Sequence, residues 1–268
     1  MTNTSQMHLF LTLTRLTAKR VLKRKSTLGF LAIGLVPCLI FVFWTLTKVV
    51  PDMHSPTRPF GLFQYIHSIY YLTFFAPLLA LFLGLGAISD EIESKNITFT
   101  LMRPLNRFTI AAGRVVGHYI AAVILVCVSL VACYLSNMVF QVEDFIGKLP
   151  TLLNGMFVIS FGLAAYLGMV ALLGTLLKRF AVILALLWLL LDGVFSLVPI
   201  GLLKYIGFRY RMLASYSEQL PQILPSAFPV EPGSMILNCA ICLIFMAVTC
   251  VLMGLRLNFE IVLSDSSK

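Results

Sequence analysis

Six long stretches of this chain carry almost no charge. They run over roughly 28–50, 66–88, 115–140, 151–177, 181–200 and 234–255. Each holds about 20 or more predominantly apolar residues, the length a helix needs to cross ~30 Å of hydrocarbon at ~1.5 Å per residue. Lys48 lies near the end of the first, where its ammonium can snorkel to the interface. Asp192 is the only acid inside any of them. Transmembrane strands would alternate in polarity over about 10 residues. Runs such as 79–87 (LALFLGLGA) and 182–191 (VILALLWLLL) are apolar on every side. Helices satisfy their own backbone hydrogen bonds in lipid, so helices are expected. The fold class read here is all-α, a polytopic membrane protein with six transmembrane helices.

Composition closes off the alternatives. The chain is 59% hydrophobic and 12% charged, against about 45–50% and 25% in soluble domains. Eleven acids in 268 residues cannot solvate a surface, and a disordered chain would be richer in charge and poorer in aromatics. The net charge of +9 is read as orienting a membrane protein, with no nucleic acid as partner. With the N-terminus inside, 14 Lys and Arg fall on inside segments and 6 outside, which predicts that both termini are cytoplasmic. A full-length span follows the basic run at residues 15–25, with no small-residue cleavage site, so a removed signal peptide is not expected.

The chain is expected to divide into an interfacial amphipathic helix (1–27), a six-helix membrane domain (28–255) and a cytoplasmic tail (256–268). In the first piece Leu9, Phe10, Leu13 and Leu16 gather on one helical face, interrupted by Arg20 and Arg24. That stretch is expected to lie on the anionic lipid of the inner leaflet. Lys178-Arg179 is nearly the whole link between the fourth and fifth spans, which predicts a tight hairpin. Residues 51–65, with Pro51, Pro56 and Pro59, read as an extended external loop. The external segment 201–233 is too rich in charge and proline to span, but short capping helices fit within it.

Motifs for chemistry are missing. No G-x-x-x-x-G-K-[ST] run exists, so this chain has no P-loop to cradle phosphate. Lys95 and Arg103-Pro104 approach the lipid-phosphatase spacing, without the accompanying Ser-Gly-His. Asp90, Glu91 and Glu93 have no His partner for an intramembrane protease. The six cysteines all lie in apolar runs and read as packing residues. No metal site is expected, since zinc needs clustered ligands in a polar pocket, and no disulfide is expected within the hydrocarbon.

Three features remain. Asp192 costs ~2.5–3.5 kcal/mol to bury in a bilayer, which the surrounding apolar residues offset at ~0.3–0.6 kcal/mol each. An intramembrane acid is a functional candidate by default, here for a translocation path, with an interhelical hydrogen bond as the plainer role. Gly113, Gly117 and Ala121 form a small-residue stripe that admits a close helix, within the chain or across a dimer seam. The third feature is the loop 89–114 between the second and third spans. Ser89 can cap a short helix whose first turn carries Asp90, Glu91 and Glu93, followed by Ser94 and Lys95. An apolar face (Ile97, Phe99, Leu101, Met102) beside Arg103 then ends at Pro104. So long and amphipathic a turn is suited to docking a cytoplasmic partner.

The run SDEIESKNITFTLMRPLNRFTIAAGRVVG resembles the corresponding loop of ABC-2 type transporter permeases. Glu91, Glu93, Thr98, Leu101, Pro104, Arg107, Gly113 and Arg114 meet that family's pattern, although Ile97 stands where many members have Gly. The resemblance implies an ABC-2 (type V exporter-like) permease fold in the plasma (inner) membrane. It implies a homodimer of this chain with two copies of a separate ABC ATPase beneath it, and leaves room for an external accessory protein. Asp90, Glu91, Glu93, Ser94, Lys95 and Arg103 would couple to the ATPase. No cofactor is implied in this chain; ATP and Mg would be bound by the partner. The chain would be a transport subunit and no enzyme. The rival readings are a secondary transporter, which should carry several midplane charges, and a membrane-embedded assembly factor. The substrate is not fixed by the resemblance; the mostly apolar spans favour an amphipathic or hydrophobic cargo.

Overall fold

The computed structural model describes residues 3–47, 58–87, 106–138, 145–177, 180–197, 205–216 and 233–266. In chain order the elements are α1 (Asn3–Leu22), α2 (Lys25–Thr47), α3 (Arg58–Ile66), a π-helix (His67–Phe75), α4 (Ala76–Leu85), α5 (Arg107–Met138), α6 (Phe145–Leu177), α7 (Ala181–Leu197), α8 (Phe208–Tyr216) and α9 (Met235–Ser266). There is no strand among the described residues. Among the described residues, five helical stretches are long and apolar enough to cross a membrane: Lys25–Phe43, Phe60–Leu85, Arg107–Met138, Phe145–Leu177 and Met235–Leu257. The fifth expected span is a shorter apolar helix, Ala181–Ser196.

The bundle is built around α5 and α6. α6 packs against α4, α5, α7, α8 and α9, while α1 and α2 pack mainly on α5. Glycines set the closest approaches. A Cβ on Gly84 of α4 would meet Val170 of α6 at 3.0 Å, and one on Gly168 of α6 would meet Thr249 Oγ1 of α9 at 2.6 Å. Without a hydrophobic force between helices in lipid, such small-residue contacts supply much of the association.

Two prolines shape α2 and the start of α4. Pro37 lies inside α2 and has no N–H to give to the Ile33 carbonyl four residues back. The Tyr70 hydroxyl donates to that carbonyl instead. Pro77 opens α4, and the turn before it is widened, so that the Ala76 N–H reaches Tyr71 O, five residues back. The widening gives a nine-residue π segment, a feature that marks functional sites more often than plain helix does.

Several expected boundaries shift. The segment 51–65 is not wholly an extended loop: helix begins at Arg58, with Pro59 in the first turn where its missing donor costs nothing. The tail at 256–268 continues α9 to Ser266 and is no separate piece. In α1 the buried face is Thr14, Ala18 and Val21, while Leu16 is exposed. The reason is that α1 is packed along α5, so small side chains face the partner helix. Its outer surface mixes Met7, Leu11 and Leu16 with Arg15, Lys19 and Arg20, all exposed.

Candidate functional site

Asp90, Glu91, Glu93, Ser94, Lys95 and Arg103 lie outside the described residues, as does the Lys178-Arg179 link. The two arms that carry the 88–105 segment are described. The descending arm, α4, ends at Leu85 with Gly86 as C-cap. It is seated on α6, where a Cβ on Gly174 would come within 3.5 Å of the Leu85 carbonyl. The returning arm, α5, starts at Arg107 with Asn106 as its cap: the Phe108 N–H donates to Asn106 Oδ1 at 3.1 Å. The Asn106 side chain thereby satisfies one of the four donors that a helix start leaves bare.

The first turns of α5 are gripped from two sides. The Thr109 hydroxyl donates to Gln6 Oε1 of α1 at 3.3 Å. A Cβ on Gly254 of α9 would meet Phe108 Cε1 at 2.8 Å. Gly113 and Gly117 receive α1: added Cβ atoms there would meet Leu13 Cδ2 at 3.0 Å, and Thr17 Cβ at 2.6 Å with the Thr14 carbonyl at 2.9 Å. The stripe therefore serves a seam within the chain at these two positions. Ala121 is fully buried and belongs to the main core. At this end α4 is thus seated on α6, and α5 on α1 and α9, while α5 and α9 also pack on α6.

Deeper in the bundle stands Asp192, near the close of α7 and 2% exposed. Its Oδ1 accepts the Phe208 N–H at 2.7 Å. Its Oδ2 accepts the Arg209 N–H at 3.3 Å and the hydroxyl of Tyr166, a fully buried residue of α6. The two oxygens accept from all three of these donors, the pattern of a carboxylate. Phe208 and Arg209 are the first residues of α8, so the acid caps a helix N-terminus, where the helix dipole favours negative charge.

Packing reinforces this clamp. The Phe208 ring lies 5.6 Å from Tyr166, 6.2 Å from Trp188 and 4.8 Å from Phe245, centroid to centroid. It plugs the junction of α6, α7 and α9. Beneath α8, Gly162 leaves the space that Met212 Sδ occupies, since a Cβ there would overlap the sulfur. Arg211 and Ser215 tie α8 to Asn238 at the start of α9, at 3.3 and 3.1 Å. Asp192 thus joins α6, α7 and α8 through its own chain's groups. Sequence reasoning singled out the acid but not Tyr166 or Phe208, because nothing local marks a Tyr 26 residues away as its donor.

The family model described as ABC-2 family transporter protein matches residues 4–256. The chain belongs to that family. It is therefore a membrane permease component of an ABC-type transporter, and the match runs from α1 through most of α9. A search of curated proteins finds no match. Among the described residues of the permease no group of three or more His, Cys, Asp or Glu is placed to hold a metal ion.

Proposed function

We propose that this permease is the transmembrane subunit of an exporter, driven by a separate ATP-binding subunit that docks on the segment 89–107. In this reading Asp90, Glu91 and Glu93 form the first turn of a coupling helix, and Ser94, Lys95 and Arg103 complete its contact surface. Two permease copies and two ATPase copies make the working unit in the plasma (inner) membrane. Each copy crosses six times, α7 being the short fifth span, with both termini cytoplasmic. ATP and Mg belong to the partner.

The observation that carries the reading is the firm seating of both loop arms in the bundle. A push on the loop is delivered to α4 and α6 through the Gly84 and Gly174 contacts. It is delivered to α1 and α9 through Gln6, Gly113, Gly117 and Gly254. One displaced helix therefore acts on both groups of spans, which meet where α5 and α9 pack on α6. Deeper in the bundle, α8 is the element that such a movement would disturb, because Asp192 and Tyr166 hold it to α6 and α7. Asp192 enters the transport path as the latch of this cap. An extra external protein would meet the same cap. The cargo is read as amphipathic or hydrophobic.

The test is copurification in mild detergent. The chain should retain a soluble protein with a Walker motif and stimulate its ATPase. The double reversal Glu91→Lys and Glu93→Lys should release it. Retention of the partner with full stimulation would overturn the docking surface. Transport by the purified chain alone in liposomes would instead favour a secondary transporter.

A further inference from the structure

The two-helix contact between α2 and α5 singles out one pair of cysteines. Gly34 of α2 faces Ser129 of α5 so closely that a Cβ at Gly34 would meet Ser129 Cβ at 3.0 Å and overlap its hydroxyl. The buried Tyr71 hydroxyl donates to both backbones at this level, to Gly34 O at 2.7 Å and to Ser129 O at 3.1 Å. Four residues further along each helix stand Cys38 and Cys133. Residues four apart share a helix face, so the two thiols face each other one turn above the crossing. Their side chains lie close enough to interact. Both numberings increase in the same direction away from the crossing, so the helices run parallel there.

Packed helix axes are usually ~8–10 Å apart, and a disulfide needs Cα atoms within about 4.4–6.8 Å. A crossing over glycine, with a serine opposite, lets two helix backbones approach more closely than usual. The other cysteines do not share this arrangement: Cys239, Cys242 and Cys250 all belong to α9, and Cys127 faces Ser160 of α6. Both thiols are free in this structure, with Cys133 buried and Cys38 partly exposed. Cys38 lies on a helix whose apolar Val36, Leu39 and Ile40 are exposed, so a lipid-soluble reagent can reach it from the side.

We propose that Cys38 and Cys133 are an oxidisable pair, which a two-electron hydrogen acceptor dissolved in the membrane converts to a disulfide stapling α2 to α5. The two S–H bonds break and one S–S bond forms. Both hydrogens and both electrons pass to the acceptor, as when an azo compound becomes a hydrazine. Because α2 packs mainly on α5, the staple fixes the first span to the helix that returns from the 88–105 loop. The pairing stands on this crossing alone and does not depend on the ATPase reading.

The experiment uses the full chain in lipid nanodiscs, treated with the membrane-permeant azo oxidant diamide, then alkylated, digested and weighed. The expected result is one dominant linked peptide pair containing Cys38 and Cys133, lighter than the two free peptides by two hydrogen atoms. Alkylation of both cysteines should be lost, and a reductant should restore it. Cys38→Ser should abolish the link and leave Cys133 open to alkylation after unfolding. The wild-type result stands even if that variant folds poorly. Both thiols still alkylated after diamide, or random pairing that includes α9 cysteines, would overturn the proposal. So would a Cys38–Cys133 link that forms only after denaturation in detergent.

Discussion

Replacing Asp192 by alanine should loosen α8 while leaving the rest of the bundle intact. The carboxylate receives the hydroxyl of Tyr166 and the backbone N–H groups of Phe208 and Arg209. Removing it leaves three donors with no acceptor in a site that is nearly closed to solvent. A buried donor without its partner costs ~1–3 kcal/mol, and a charge at a partly buried helix terminus contributes up to ~2 kcal/mol. In membrane bundles the measured values run lower, averaging ~0.6 kcal/mol per interhelical bond. The lower figure suits Tyr166, which can turn to another acceptor. The higher suits the two N–H groups, which are fixed by the backbone. Together these give ~3–6 kcal/mol for the docking of α8, or roughly 100- to 20,000-fold faster amide exchange there at ~1.4 kcal/mol per factor of ten. Asp192→Asn keeps one acceptor oxygen and should lose about half as much. Hydrogen–deuterium exchange on peptides covering 205–216 reads the effect, with α5 peptides as the internal control. Unchanged exchange in α8 would refute the clamp, and uniform loss across α5 and α6 would show that Asp192 supports the whole bundle instead.

Gly117→Val places methyl groups where Thr17 and the Thr14 carbonyl already stand; at ~1–3 kcal/mol for overpacking, α1 should detach and Arg15, Lys19 and Arg20 should become quick tryptic sites. Gly113→Ala should be milder, because its neighbour is the movable end of Leu13. Asn106→Ala removes the cap of α5 at about 1 kcal/mol and should speed exchange at 107–110 without affecting α8.

The spans were legible because lipid imposes one requirement, a long apolar helix, and uninterrupted runs such as 182–191 meet it visibly. What was not legible depends on who packs against whom. The face of α1 follows its partner: Thr14 and Ala18 are buried because they fit against Gly117 and its neighbours, and Leu16 is left outside. The extension of α9 past Leu257 was hidden by Arg256, Asn258 and Glu260, residues that break an apolar run without breaking a helix. The π segment at 67–75 has the same apolar composition as an α-helix, and its wider backbone hydrogen bonding, seen in the Ala76-to-Tyr71 bond, is what separates them. Asp192 stood out as an acid in an apolar run, but its helix-capping role needed α8 folded back onto it.

The coupling reading meets its sharpest test in a photo-crosslinking amino acid placed at Glu91 or Glu93 of the chain in its native membrane. A crosslink to a single soluble ATP-binding protein is expected, with a yield that changes when nucleotide is added. Crosslinks confined to lipid or to the permease itself, with no response to nucleotide, would contradict it.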